Sequence, residues 1–107
     1  MFYRMVMSKQ KDNQLKQLEA IEKLFRALAN GRRLQIVRLL AKRPYSVAEL
    51  SQKLKLSYKA THQHVYRLFM VELLDKERDG LLVQYSIENN LSNVAERLLQ
   101  VALDRKR

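Results

Sequence analysis

Residues 46–70 read SVAELSQKLKLSYKATHQHVYRLFM, and the spacing of apolar and polar residues in this stretch decides the fold. Ser46 and Glu49 stand three apart at the head of an apolar-periodic segment, the pattern of a capping box in which each side chain covers the other's free backbone N–H. A short helix follows to about Leu54, with Val47, Leu50 and Leu54 on its packing side. Lys55 and Leu56 make a turn, and Ser57 is placed to cap a longer helix running to about Val71. At 100° per residue, Thr61, His64, Val65 and Leu68 of that longer helix gather on one side. Lys59, Gln63 and Tyr66, flanked by His62, gather on the other, with Tyr58 exposed at the N-terminus. The first stripe is suited to burial. The second consists of side chains able to hydrogen-bond base edges or phosphates, where a merely solvated face would be richer in Glu and Lys pairs.

Outward from this stretch the punctuation is equally regular. Leu15, Leu18, Ile21, Leu24, Phe25, Leu28 and Ala29 recur at three- and four-residue steps, which predicts an amphipathic helix from about Lys9 to Ala29. Asn30-Gly31 breaks it and offers Asn30 as N-cap of a second helix, Arg32 to about Lys42, with Pro44 closing it. Downstream the period changes to two over Leu74–Arg78 and Leu81–Ile87, and Asp79-Gly80 between them is a hairpin signal. Helical period returns from about Asn90 to Arg105. The expected fold is mainly α with a small β-hairpin wing: four helices, two strands and a fifth helix in one domain over 1–107. That is the winged helix-turn-helix plan, in which the second helix of the pair enters the major groove of DNA. The expected division is a DNA-binding core over 31–87, with the wing at 74–87, and dimerisation helices at 1–29 and 90–107.

Charge points the same way. The chain of 107 residues carries a net charge of +10. Between Arg26 and Arg67 there are ten basic residues, and Glu49 is the single acidic one. A positive field concentrated in one module attracts polyanions, nucleic acid before anionic membrane. The chain lacks cysteine, which removes disulfides, thiolate metal sites and thiol sensing from consideration. No apolar run approaches the roughly 20 residues of a membrane span, and the segment Met1–Met7 is too short for a secretory core. Those first residues read as a docked arm, or as extra residues before a start at Met5 or Met7. The expected location is cytoplasmic, on the nucleoid when bound to DNA. With two diverging histidines, no glycine-rich loop and no clustered carboxylates, catalysis is not expected and no catalytic residue is assigned.

The segments in order resemble the ArsR/SmtB family of prokaryotic regulators. Leu24-Phe25-Arg26-Ala27-Leu28-Ala29-Asn30-Gly31-Arg32-Arg33-Leu34 is similar to that family's LFKALSDPTRL opening. Val47-Ala48-Glu49-Leu50 with Leu56-Ser57 resembles its helix-turn, and Ala60 to Leu68 resembles its recognition helix. Leu73-Leu74 and the stretch from Asp79-Gly80 to Tyr85 are similar to its wing. The resemblance implies a homodimer that sits on an operator and releases it when an effector binds. Its metal sites do not carry over. Ser46-Val47-Ala48 stands where metal sensors have a CVC motif, and although Asp104 is present, the sequence contains no histidine beyond His64. His62 and His64 diverge by about 200° on one helix and cannot share an ion. No metal, cofactor or effector is therefore assigned. Glu72 stands where the family usually has glycine, so the fourth helix is expected to end differently. Phe69 and Met70 replace its usual charged pair, either packing under the wing or meeting a subunit or effector.

The expected function is a sequence-specific regulator on double-stranded DNA, a dimeric repressor on an inverted repeat. Tyr58, Lys59, His62 and Gln63 are the candidate base readers. Ser57, Tyr66 and Arg67 are the candidate phosphate contacts, with Lys76 and Arg78 reaching flanking phosphate or minor groove from the wing. His64 is expected at the core edge, hydrogen-bonded to backbone. Leu15, Leu18, Phe25, Leu91, Val94, Leu98 and Val101 supply the candidate dimer face, since the first and last helices carry wider apolar stripes than one contact needs. The alternatives are a nucleoid-type protein that coats DNA without sequence preference and a winged-helix module that binds protein.

Overall fold

The computed structural model describes residues 2–104. Helices α1 (Phe2–Leu28), α2 (Gly31–Leu40), α3 (Val47–Leu54) and α4 (Tyr58–Met70) precede strands β1 (Leu74–Asp79) and β2 (Leu82–Ile87), and α5 (Asn93–Leu103) follows. The architecture is a winged helix-turn-helix in the expected order. Its core is built from Ile36, Val37 and Leu40 of α2, Val47, Leu50 and Leu54 of α3, and Val65 and Leu68 of α4. Leu73, Leu74 and Tyr85 close it from the wing side, and Ala95 and Leu99 from α5.

Four polar caps set the helix starts. Asn30 accepts from Arg33 N, Ser46 from Glu49 N, Ser57 from Ala60 N and Ser92 from Ala95 N, each at 3.1 Å. Each cap satisfies one otherwise unpaired donor and stabilises its helix by about 1 kcal/mol. The Ser46–Glu49 box is complete, because Ser46 N also donates to the Glu49 carboxylate at 2.9 Å. That hydrogen bond, followed by the Arg43 guanidinium, holds the Glu49 carboxyl below its ordinary range. Ser92 corrects the start of the last helix from Asn90 to Asn93; the helix ends at Leu103 with Asp104 as C-cap, and Arg105, the predicted end, lies outside the described residues. Pro44 acts at a distance from the helix it was expected to close. α2 already ends at Leu40 in a tightened turn, with Lys42 N donating to Leu39 O, and Pro44 restricts only Arg43 next to it.

Two helices end through left-handed residues that are not glycine. Lys55 has φ 57° and Glu72 has φ 63°. At the end of α4, Glu72 N donates to Phe69 O and Leu73 N to Leu68 O, the pair of bonds that defines a Schellman stop. The expectation that Glu72 would change the ending is thus corrected: the backbone takes the shape glycine would give and accepts the strain. Burial of both Leu68 and Leu73 at 0% exposure supplies the apolar contact that holds it.

The wing differs slightly from its predicted bounds. β1 and β2 pair antiparallel, with Asp79 opposite Leu82, so Gly80 and Leu81 form the loop rather than Asp79 and Gly80. Gly80 has φ 65°, and a positive φ at the first of two loop residues suits the right-handed twist of a hairpin. A third short strand position was not legible in the sequence. Tyr45 forms a bridge to Tyr85, with N–H···O bonds of 3.0 and 2.8 Å, and fastens the wing to the loop between α2 and α3.

α1 begins well before Lys9. Its helical backbone runs from Phe2, which corrects the predicted start near Lys9; Met1 lies outside the described residues. Every residue from Lys9 to Ala20 is exposed. The radius of gyration, 17.0 Å, exceeds the ~13 Å usual for a compact chain of this size.

Candidate nucleic-acid interface

α4 is seated by a stripe of Thr61, Val65 and Leu68, each at 0% exposure. The buried Thr61 hydroxyl donates to Ser57 O at 2.8 Å, so the stripe holds no unpaired polar atom. On the opposite side Tyr58, Lys59, His62, Gln63, Tyr66 and Arg67 are all exposed. The rings of Tyr58 and His62, one helical turn apart, stack with centroids 6.3 Å apart and planes 21° apart. Ser57 is engaged as an acceptor at the cap, which leaves its hydroxyl proton free to donate outward.

The structure brings these candidates together in two grooves that share His62. In one, of about 390 Å³, Tyr58 and His62 face Lys76 and Arg78 of β1. In the other, Gln63, Tyr66 and Arg67 face Lys23 and Arg26 of α1. The two wing cations lie on the hairpin face that also carries Leu74 and Tyr85, the face turned toward α4. Lys76 leans back so that Nζ sits 5.0 Å from the Phe69 ring centroid. Phe69 itself packs edge-on against Tyr85, centroids 6.2 Å apart, under the wing. Met70, by contrast, is exposed and lines the groove shared with α1.

The basic residues divide into two groups that the sequence did not distinguish. Three arginines of α2 each donate to a carbonyl at the C-terminal end of a different helix. Arg32 reaches Leu54 O of α3 at 3.0 Å, Arg38 reaches Ala102 O of α5 at 3.0 Å, and Arg33 reaches Ala27 O and Arg26 O of α1 at 2.6 and 3.2 Å. Cations complement the negative end of a helix, so these guanidinium groups are structural clamps. Arg43 likewise bonds Pro44 O and Glu49 and lies 3.8 Å from the Tyr45 ring centroid. Their charge still contributes to the field, but their hydrogen bonds are committed. Lys59 and Arg67 stand exposed on α4 itself.

His64 is half-buried at the edge of the core, as expected, but its partner is not backbone. Its Nδ1 lies 3.2 Å from the Arg33 guanidinium, so a neutral imidazole accepts from Arg33 and ties α4 to α2. Burial, and then Arg33, Arg32 and Arg67 around it, push the His64 pKa down. Burial and Arg67 lower that of Arg33 as well. His64 therefore acts as a brace between helices and not as an outward contact.

The candidate dimer residues separate by exposure. Leu15, Leu18 and Phe25 of α1 and Val94 and Val101 of α5 are exposed. Leu91 and Leu98 are half-buried against the chain's own core. Among the described residues no three His, Cys, Asp or Glu side chains group where they could hold a metal ion, and no helix is long and apolar enough to cross a membrane.

A winged helix-turn-helix with an exposed recognition helix and an acid-poor basic face is the class defined by this geometry. The profile described as "Bacterial regulatory protein, arsR family" matches residues 30–76. The chain is 37% identical over 71 residues to the HTH-type transcriptional regulator YgaV of Escherichia coli, covering 65% of this chain and 72% of that protein. It is 35% identical over 69 residues to the HTH-type transcriptional regulator KmtR of Mycobacterium tuberculosis, covering 64% of this chain but 53% of that one. The chain thus spans about half the length of that relative. Its fold is similar, at a TM-score of 0.73 and 27% identity, to a homodimeric winged helix-turn-helix DNA-binding domain from Mycobacterium bovis, described as a possible ArsR-family transcriptional regulator. That likeness covers 84% of this chain and 81% of the other. The chain belongs to the arsR family of bacterial regulatory proteins.

Proposed function

We propose that this chain is a homodimeric transcriptional regulator that binds an inverted repeat in double-stranded DNA and represses by occupying it. The observation that carries this reading is the outer face of α4, where six hydrogen-bonding side chains project from a helix whose inner stripe is locked in the core. Tyr58, Lys59, His62 and Gln63 read base edges in the major groove. Ser57, Tyr66 and Arg67 hold phosphate, and Lys76 and Arg78 extend the contact from the wing. Exposed Leu15, Leu18 and Phe25, with Val94 and Val101, pair with a second copy. Two-fold pairing places the recognition helices about 34 Å apart, one turn of DNA. On this reading residues 31–87 form the DNA-binding core, the first and last helices dimerise, and the protein works on the nucleoid in the cytoplasm without catalysing a reaction.

The test is selection of bound sequences from a random duplex pool at near-physiological salt. An enriched inverted repeat is the expected result. Binding without enrichment that collapses as salt rises would instead identify a DNA-coating protein. Absence of DNA binding, with capture of one protein partner, would identify a protein-binding module.

A further inference from the structure

A groove of about 800 Å³ lies between the C-terminal half of α1 and the outer side of α4. That volume falls within the range of small-molecule sites. Its chemistry is two-sided. Lys23, Arg26, Arg33 and Arg67 bring positive charge to it, and none of its lining residues is acidic. Ala27, Met70 and Val71 give it an apolar floor, beside the rings of Tyr66 and His62. Arg33 is already committed to the α1 carbonyls and His64, so Lys23, Arg26 and Arg67 are the cations left for an occupant. The single ion pair among them, Arg26–Glu22, is exposed on both sides and exchanges readily with another anion.

A DNA strand passing here would use the cations but not the apolar floor. Guanidinium planes, a thioether and aromatic rings together favour a flat aromatic body. Lys23 lies about 140–160° around α1 from Leu18 and Phe25, on the side away from those two proposed dimer residues, whereas Arg26 lies about 80–100° from them and closer to Leu15.

We propose that this groove binds a flat aromatic acid, its carboxylate or sulfonate held by Lys23, Arg26 and Arg67 and its ring system resting on Met70 and Tyr66. Gln63, Tyr66 and Arg67 belong both to the groove and to the proposed DNA face, so an occupant competes with DNA for them. This competition rests on the DNA-binding reading; occupancy of the groove does not.

The experiment titrates the full chain, without DNA, with 2-naphthoate, 2-naphthamide and inorganic phosphate while amide chemical shifts are followed. Saturable 2-naphthoate binding is expected, with the largest shifts in residues 23–27 and 62–71. The neutral amide should bind at least tenfold more weakly, and phosphate should give only diffuse shifts. The double variant Lys23→Ala with Met70→Ala should keep its folded spectrum, yet bind 2-naphthoate at least tenfold more weakly. Equal binding of the amide, equal effect of phosphate, shifts centred elsewhere or an unaffected double variant would each overturn the site. A second arm adds 2-naphthoate to the protein on its selected duplex. Release of the duplex supports the competition, and retention at saturating 2-naphthoate overturns it while leaving the site in place. A chain that binds no duplex at all defeats the DNA reading alone, since the first titration still decides the groove.

Discussion

Glu72 and His64 show how single side chains carry strain and charge in this chain. Glu72 holds a left-handed backbone at the end of α4, a conformation that costs an L-residue about 1–2 kcal/mol relative to the right-handed region. Glycine adopts it freely but loses more entropy on folding. The net expectation for Glu72→Gly is a gain of about 0.5–1 kcal/mol, seen as a higher urea midpoint with an unchanged slope. His64 has the opposite character: the folded state favours its neutral form. Its folded pKa is depressed by burial and by three arginines, whereas the unfolded chain titrates near the ordinary value of about 6.5. Between those two values the unfolded state binds more protons, so stability falls with falling pH through that window and levels off below it. Urea midpoints measured at pH 7 and pH 5 are expected to show this loss, and His64→Gln is expected to reduce it. A slope identical in the variant would remove His64 as its source. At this scale the sequence revealed that His64 lies on the inner stripe, because spacing alone gives a residue's side of a helix. Its partner came from α2, 31 residues away, and no local pattern reports such a pairing.

At the scale of elements, capping residues proved the most legible feature. Asn30, Ser46 and Ser57 were identified from sequence because a cap acts on a donor within three residues. Ser92 was passed over because apolar periodicity alone extended the last helix back to Asn90. The arginines of α2 show the reverse case. Arg32, Arg33 and Arg38 read as part of a basic surface, but each is directed at the C-terminus of another helix. Their spacing contains no sign of this, since the carbonyls they meet belong to α1, α3 and α5. The consequence for DNA binding is testable in the wing, whose cations have no such carbonyl partners. Replacing Lys76 and Arg78 together by Ala is expected to lower the slope of log affinity against log salt by about 1–2 and to weaken all duplexes alike. Fluorescence anisotropy over a salt series measures both. In contrast, Gln63→Ala is expected to cost about 1–3 kcal/mol on the selected sequence and to relax discrimination at one position.

For the whole molecule, the question is what covers the exposed half of α1. Leu18 is 61% exposed, Phe25 54% and Val101 75%, and a chain this small gains substantially from burying such surface against a second copy. Placing a charge there should prevent pairing without disturbing the core, because none of the three belongs to it. Leu18→Glu with Phe25→Glu is therefore expected to sediment as a monomer at micromolar concentration and to lose cooperative binding to an inverted repeat. An unchanged dimer would move the interface away from α1.

What the sequence determined by itself is the set of elements, their order and the two faces of α4. Each follows from interactions among residues a few positions apart: helical period, caps, and the loop glycine of the hairpin. The basic excess was equally plain, as charge adds without regard to position. The tertiary structure decided which cations are free and which are clamps, and it made Tyr45 a third strand position for the wing. It also turned Phe69 inward and Met70 outward and set α1 beside α4 to make a groove. These depend on carbonyls, rings and cavities contributed by segments far apart in the chain. Their physical cause is the packing of one element on another, which has no period along the sequence.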